Sequence, residues 1–243
     1  MLLTVALTAL IAGLLVGLTG IGGVLMLPVL TQVAGVPLDR AVAASLVALL
    51  IAGAYAAFVH LRREQLPRRP LIVLCACATA GSVIGAVTLD MLPGFGIRIF
   101  IAALCVGSGA QVLFLRPLPR STVPSSALLA VLGAGVGYVS ALSGTGGPVT
   151  LIPLLLAFGM PAGPAVSLGL AAQVPITVAA TAVYAIEARI DPALAGTLSV
   201  VLLIGTVAGA KLSSRLTGRV LANAVAVTLI VVGIWYGYAT LCC

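Results

Sequence analysis

Two short stretches hold the residues best suited to chemistry. "LTGIGGVLMLP" at 18–28 and "LSGTGGPVTLIP" at 142–153 each set three glycines and their neighbouring hydroxyls inside apolar sequence. Glycine removes side-chain bulk and permits unwound backbone, whose N–H groups have no intrahelical partner. Gly20, Gly22 and Gly23 in the first stretch, and Gly144, Gly146 and Gly147 in the second, therefore mark two breaks, with Thr19, Ser143 and Thr145 beside them. Pro148 follows the second break and suits the first turn of a new helix, because its missing N–H would have had no partner there. A helix beginning at such a break aims free N–H groups and the positive end of its dipole at the gap, which is the makeup of an anion site. The competing reading is close helix packing, to which small residues are equally suited.

Other chemistry finds little support. The five acidic residues, Asp39, Glu64, Asp90, Glu187 and Asp191, fall at segment ends, so no intramembrane carboxylate is placed to bind a cation or relay protons. Cys75, Cys77 and Cys105 lie in apolar runs where a thiol packs as a small hydrophobe, and Cys242 and Cys243 form no prenylation box. The "CAC" spacing is wrong for a zinc knuckle, and the single histidine, His60, lies far from it in sequence. No metal or other cofactor is expected, no Walker A sequence is present, and an enzyme would need a nucleophile and base within reach of each other. The net charge of +7 is scattered through short loops, which points to topology signals rather than a nucleic-acid partner.

The elements that carry the two breaks follow from composition. With 62% hydrophobic and 7% charged residues, the chain cannot form one soluble core under a polar surface. Runs such as 41–59 and 71–89 approach or reach the ~20 residues a helix needs to cross hydrocarbon. The period-two alternation of a β-barrel is not seen. The sequence predicts an all-α integral membrane protein, a polytopic helical bundle in the lipid bilayer. The opening "MLLTVALTALIAGLLVG" lacks a basic n-region and reads as a retained first span rather than a signal peptide.

The chain divides at "RPLPRSTVPSS", and the two sides repeat each other at an offset of 124 residues. Gly13 falls on Gly137, Gly20 on Gly144, Gly22 and Gly23 on Gly146 and Gly147, Pro37 on Pro161, Gly81 on Gly205, Gly85 on Gly209 and Gly109 on Gly233. The predicted division is a first transmembrane repeat at 1–115, a cytoplasmic linker at 116–123 and a second repeat at 124–243. Equivalent loops carry opposite charge bias. "HLRREQLPRRP" is basic where "YAIEARIDP" is not, and "DMLPGFGIR" is poor in basic residues where Lys211, Arg215 and Arg219 gather. Positive loops favour the cytoplasm, so the repeats are expected to be inverted, with an odd number of crossings each and both termini outside. Arg116 and Arg120 join the basic clusters inside, leaving Arg40, Arg98 and Arg189 outside. About five segments per repeat fit, at 3–19, 21–35, 39–60, 71–90 and 96–115, then 124–143, 146–159, 163–188, 193–212 and 218–240. The second of each is short enough to be a broken or re-entrant helix.

"GIGGVLMLPVL" and "GTGGPVTLIPLL", followed by "GVPLDRAVAASL" and "GMPAGPAVSLGL", resemble the two repeats of the TauE/SafE sulfite exporter family, also called TSUP, over essentially the whole chain. The resemblance implies a permease of the bacterial inner membrane for sulfite, organosulfonates such as sulfoacetate, and related sulfur anions. The family often has Thr-Ser after the Ala-Val element, where this chain has Ala44 and Ser45 in the first half and Ser167 without a neighbouring threonine in the second.

Candidate ligands for an oxyanion follow by position and type. They are the backbone near Gly20, Gly22, Gly23, Gly144, Gly146 and Gly147, the hydroxyls of Thr19, Ser45, Ser143, Thr145 and Ser167, and the amide of Gln173. Each hydroxyl has the alternative of bonding its own helix backbone. Arg40, just before Ala41, either attracts the anion or snorkels to the interface. Gln111 is expected to make an interhelical hydrogen bond. The expected function is export of a small anionic substrate by alternating access, driven by membrane potential or a proton gradient. A channel, or a transporter of another small metabolite, remains the alternative. A homodimer is left open.

Overall fold

The computed structural model describes residues 2–62, 64, 66–114, 124–213 and 218–242. The linker at 116–123 with Arg116 and Arg120, and the basic residues Arg63 and Arg215, lie outside the described residues, as does the side chain of Arg219. The first half holds α1 (Leu2–Thr19), α2 (Met26–Pro28), α3 (Leu38–Leu61), α4 (Arg68–Thr88) and α5 (Gly94–Phe114). The second holds α6 (Ser126–Ser143), α7 (Pro148–Ala157), α8 (Ala162–Ile186), α9 (Pro192–Leu212) and α10 (Gly218–Cys242). A 3-10 turn (Gly23–Leu25) precedes α2 and a π turn (Val29–Val33) follows it, so the second segment is short and irregular. Among the described residues there is no strand, and six helices are long and apolar enough to cross a membrane, with four shorter apolar helices beside them.

Prolines and polar caps set the helix starts. Pro37 precedes α3 and Pro161 precedes α8, both extended in ψ, so the repeated proline opens the same element twice. Asp191 caps α9, its Oδ1 accepting from Ala193 N at 3.0 Å and Leu194 N at 3.2 Å, with Pro192 in the first turn. All-apolar helices have no amphipathic stripe to bury, so association rests on close packing of small residues. Gly81 and Gly85 of α4 approach the carbonyls of Ala134 and Tyr138 on α6, while Gly205 and Gly209 of α9 approach those of Leu10 and Leu14 on α1. Gly137 meets Ala78, and Gly13 meets Leu202. A Cβ at any of these six would collide with the facing backbone, and every one of these contacts has its counterpart at the 124-residue offset.

The contact order also fixes direction. Along α4 and α6 the paired numbers rise together, from Leu74 with Gly133 to Gly85 with Tyr138, so these helices run parallel. Along α5 and α10 they run oppositely, Gly109 meeting Ala226 while Ala102 lies against Gly237. Helices α3 and α8 pack on each other at the centre, where Ala41–Leu46 of α3 and Leu168, Leu170 and Ala172 of α8 are buried. Outward faces carry Ile72, Ile84, Val131, Val200, Val231 and Ile234, all exposed, as expected where lipid is the solvent.

At one end of the bundle Arg189, after α8, is paired with Asp90, after α4, and its Nε lies 2.8 Å from Glu187. The hydrogen bond to Asp90 raises the already high pKa of the guanidinium. This contact joins two loops that the charge pattern assigned to one side. All five acidic residues lie at or beyond helix ends, as expected.

Candidate substrate site

The two breaks meet. A Cβ at Gly23 would lie 2.9 Å from the carbonyl oxygen of Thr145, and the Leu49 side chain of α3 lies against both Gly23 and Gly146. Gly22 turns back on α1, where a Cβ would collide with Ala12 O. Gly20 faces Ile152 and Leu170, and Gly144 faces Leu27 and Val42. Four of the six motif glycines have left-handed backbone: Gly20 at φ 79°, Gly144 at 63°, Gly146 at 79° and Gly147 at 113°. That region disfavours any side chain, so these glycines are required by conformation, not by packing alone.

Pro148 begins α7, as its type suggests, and Gly147 O accepts from Thr150 N at 3.1 Å and Leu151 N at 3.0 Å to close the first turn. The α7 amino terminus therefore abuts the gap, with Ser140 Oγ 3.7 Å from where a Cβ of Gly147 would sit. From α8, Gln173 donates from Nε2 to Leu49 O at 3.2 Å. Gln173 and Leu49 are equivalent positions at the 124-residue offset, so the two halves touch here through the same position of each. Gly53 makes room: a Cβ there would lie 2.6 Å from Gln173 Cδ.

The hydroxyls divide into two groups. Thr19 donates to Leu15 O at 3.0 Å and accepts from Ile21 N at 3.2 Å, which ends α1. Ser143 donates to Val139 O at 2.7 Å and shares a 3.0 Å hydrogen bond with Thr145. For Thr19 and Ser143 the local backbone bond is the one that forms. Ser45, Ser140 and Ser167, by contrast, are fully buried with no hydrogen-bond partner for Oγ, and Gln173 Oε1 is likewise unpartnered. Buried polar atoms are almost always paired, so these four, alongside Arg98 Nε and Thr181 Oγ1, are exceptions. Ser45 lies one turn before Leu49 on the same face of α3.

Arg40 is exposed at the start of α3 and is not brought among these groups. Gln111 makes the expected interhelical bond, from Nε2 to Pro153 O at 3.1 Å, beside an apolar cavity of about 420 Å³ that also reaches Thr150 of α7. Ser140 was missed by the sequence reading, although its spacing of three from Ser143 puts both on one helix side. Tyr184, also missed, is fully buried and donates to Ala141 O at 3.0 Å, holding α8 against α6 just before the second break.

A polytopic all-α bundle whose interior holds converging helix breaks and no buried charged side chain among the described residues defines a multi-pass membrane protein built around a neutral polar centre. The chain belongs to the sulfite exporter TauE/SafE family, whose profile matches residues 5–236. At the level of that family it is an exporter-type transporter for sulfur anions. No curated relative matches the chain.

Proposed function

We propose that this protein exports small sulfur oxyanions, sulfite or organosulfonates such as sulfoacetate, by alternating access at the meeting point of the two glycine breaks. The observation that carries the reading is the approach of Gly23 to the Thr145 carbonyl, with Leu49 against both breaks and Gln173 beside Gly146. The α7 amino terminus supplies N–H dipole to an anion, Ser45, Ser140 and Ser167 supply free hydroxyls, and Gly23, Gly146 and Gly147 leave the backbone bare of side chains. Thr19, Ser143 and Thr145 shape the breaks rather than ligate.

The repeats are of inverted topology. Supporting this, α5 and α10 occupy equivalent positions in the two halves and run antiparallel, and the α1–α9 contacts mirror the α6–α4 contacts at the same offset. Rocking one repeat against the other would expose the centre alternately to each side. In this conformation Thr145, Gln173 and the three orphan serines are buried, so opening is required for exchange. The protein sits in the bacterial inner membrane with both termini outside, and a membrane potential favours efflux of an anion by about 2.3 kcal/mol per charge per 100 mV.

The test is flux from proteoliposomes under an imposed potential, with sulfite, sulfoacetate, taurine, sulfate and an uncharged control. Saturable, potential-dependent movement of sulfite or a sulfonate is the expected result. Fast, unsaturated flux would make the protein a channel, and movement of the uncharged control alone would remove the anion from the account.

A further inference from the structure

The donor and acceptor inventory of the centre says which form of the anion fits. The Gln173 carboxamide is locked: Nε2 is on Leu49 O at 3.2 Å, a carbonyl can only accept, and turning the amide over would set oxygen against oxygen. Oε1 is thereby fixed as a buried acceptor with no partner, in a side chain 1% exposed. Ser45 on α3, Ser140 on α6 and Ser167 on α8 hold buried, unpartnered hydroxyls, and no charged residue is buried as a whole among the described residues. The site thus asks its ligand for one hydrogen to give to Gln173 Oε1 and for oxygens to accept from the hydroxyls and the backbone.

Resting on the exporter reading, we infer that the site takes sulfite as the singly charged, O–H-bearing hydrogensulfite ion and rejects the dianion, so that sulfoacetate, with its two acid groups, enters only with its carboxyl protonated. Hydrogensulfite donates its O–H to Gln173 Oε1 and presents its other oxygens to the serines. The sulfite dianion has no proton for Oε1, meets that oxygen as a repulsive dipole, and carries twice the charge into a site without a counter-charge, where the desolvation cost grows as the square of the charge. Each sulfite that crosses carries one proton with it, so the net movement is one negative charge, and no protein group has to relay a proton.

The titratable groups on the surrounding helices lie elsewhere. Asp39, Arg40, Tyr55 and His60 are on α3, the first two at its start and His60 Nε2 lying 3.3 Å from Gly17 O, far along the helix from Leu49. Arg68 and Arg69 start α4, which also carries Cys75, its Sγ 3.9 Å from Ala171 O, and Cys77; Arg98 is on α5, Tyr138 on α6, Tyr184 on α8 and Lys211 in the last turn of α9, while α1, α2 and α7 carry none.

The test is equilibrium binding of sulfite, methanesulfonate and sulfate to the full reconstituted chain at pH values on both sides of the second ionisation of sulfurous acid, which lies near neutrality. Above that ionisation the apparent affinity for sulfite should fall about tenfold per pH unit, following the hydrogensulfite fraction. Methanesulfonate, singly charged throughout, should show a flat profile and sulfate should not bind. Gln173→Leu places at 173 the residue found at the equivalent Leu49, and should keep methanesulfonate binding while losing the advantage of hydrogensulfite over it. His60→Gln should leave the sulfite profile in place. If affinity for sulfite is constant or rises with pH, the dianion is the ligand and the inference is overturned while the exporter reading stands. If neither sulfite nor methanesulfonate binds at any pH, the exporter reading falls and takes the inference with it. The wild-type profile decides this even if Gln173→Leu does not fold.

Discussion

At the first break only Gly20 is left-handed and Gly22 is extended at φ −164°, whereas at the second Gly144, Gly146 and Gly147 have φ of 63°, 79° and 113°. Past the first break the chain runs through 3-10, α and π turns with Pro28 in the middle. Past the second it enters α7 directly at Pro148. A regular helix of ten residues with a proline start presents an ordered N-terminus, and an irregular segment does not. The same letters thus give complementary parts: the second break offers a helix start, and the first offers a bare backbone surface that lets Gly23 reach Thr145. In the proposed exporter neither break alone makes the site.

The comparison can be broken most directly at Gly146. Gly146→Leu forces a side chain onto left-handed backbone and toward Leu49 and Gln173, both 3.3 Å from a Cβ there. Strain and overpacking of about 1–3 kcal/mol each should lower stability in a detergent melt and abolish sulfite flux. The next effect separates the hydroxyls that flank the two breaks. Ser143→Ala leaves buried Thr145 Oγ1 without its 3.0 Å partner and should cost about 1–3 kcal/mol. Thr19→Val, at a half-buried position whose bonds only end α1, should cost about 0.5–1.5 kcal/mol. Both are read as shifts in unfolding midpoint. Equal shifts would erase the distinction between the breaks.

Smaller still, Pro148→Ala frees the backbone at the α7 start and should cost about 0.4–1 kcal/mol, measured the same way, with a matching loss of anion affinity. Asp90→Asn removes the exposed partner of Arg189 far from either break. It should change stability by about 0–1 kcal/mol and leave flux unchanged. A large flux defect there would tie the end loops to the transport step.

Helix positions were legible because apolar length and proline punctuation set them: 39–60 was expected where α3 spans Leu38–Leu61, and 163–188 where α8 spans Ala162–Ile186. The repeated glycines were legible as a set, but not their division. Gly81 and Gly205 stay in right-handed helix and serve packing, while Gly146 and Gly147 are required by backbone angle, a property the residue type alone does not carry. The Gln173–Leu49 contact depends on how α3 and α8 cross, so the role of Gln173 as a fixed acceptor emerged only in three dimensions. Arg40 looked attractive by its place before Ala41, yet it is exposed, because α3 begins at the bundle end and buries its apolar residues first. Local hydrogen bonding decided Thr19 and Ser143, since a hydroxyl within reach of its own helix carbonyl is satisfied there before any ligand arrives.

The most direct test of the central claim, that an anion is held where the two breaks meet, is potential-driven sulfite flux from proteoliposomes containing the wild type or Gly23→Leu. The substitution fills the space between Gly23, Leu49 and Thr145, where even a Cβ would meet the Leu49 side chain and the Thr145 carbonyl. The account predicts saturable, potential-dependent efflux in the wild type and none in folded Gly23→Leu. Undiminished sulfite efflux through folded Gly23→Leu would contradict it and place the pathway elsewhere in the bundle.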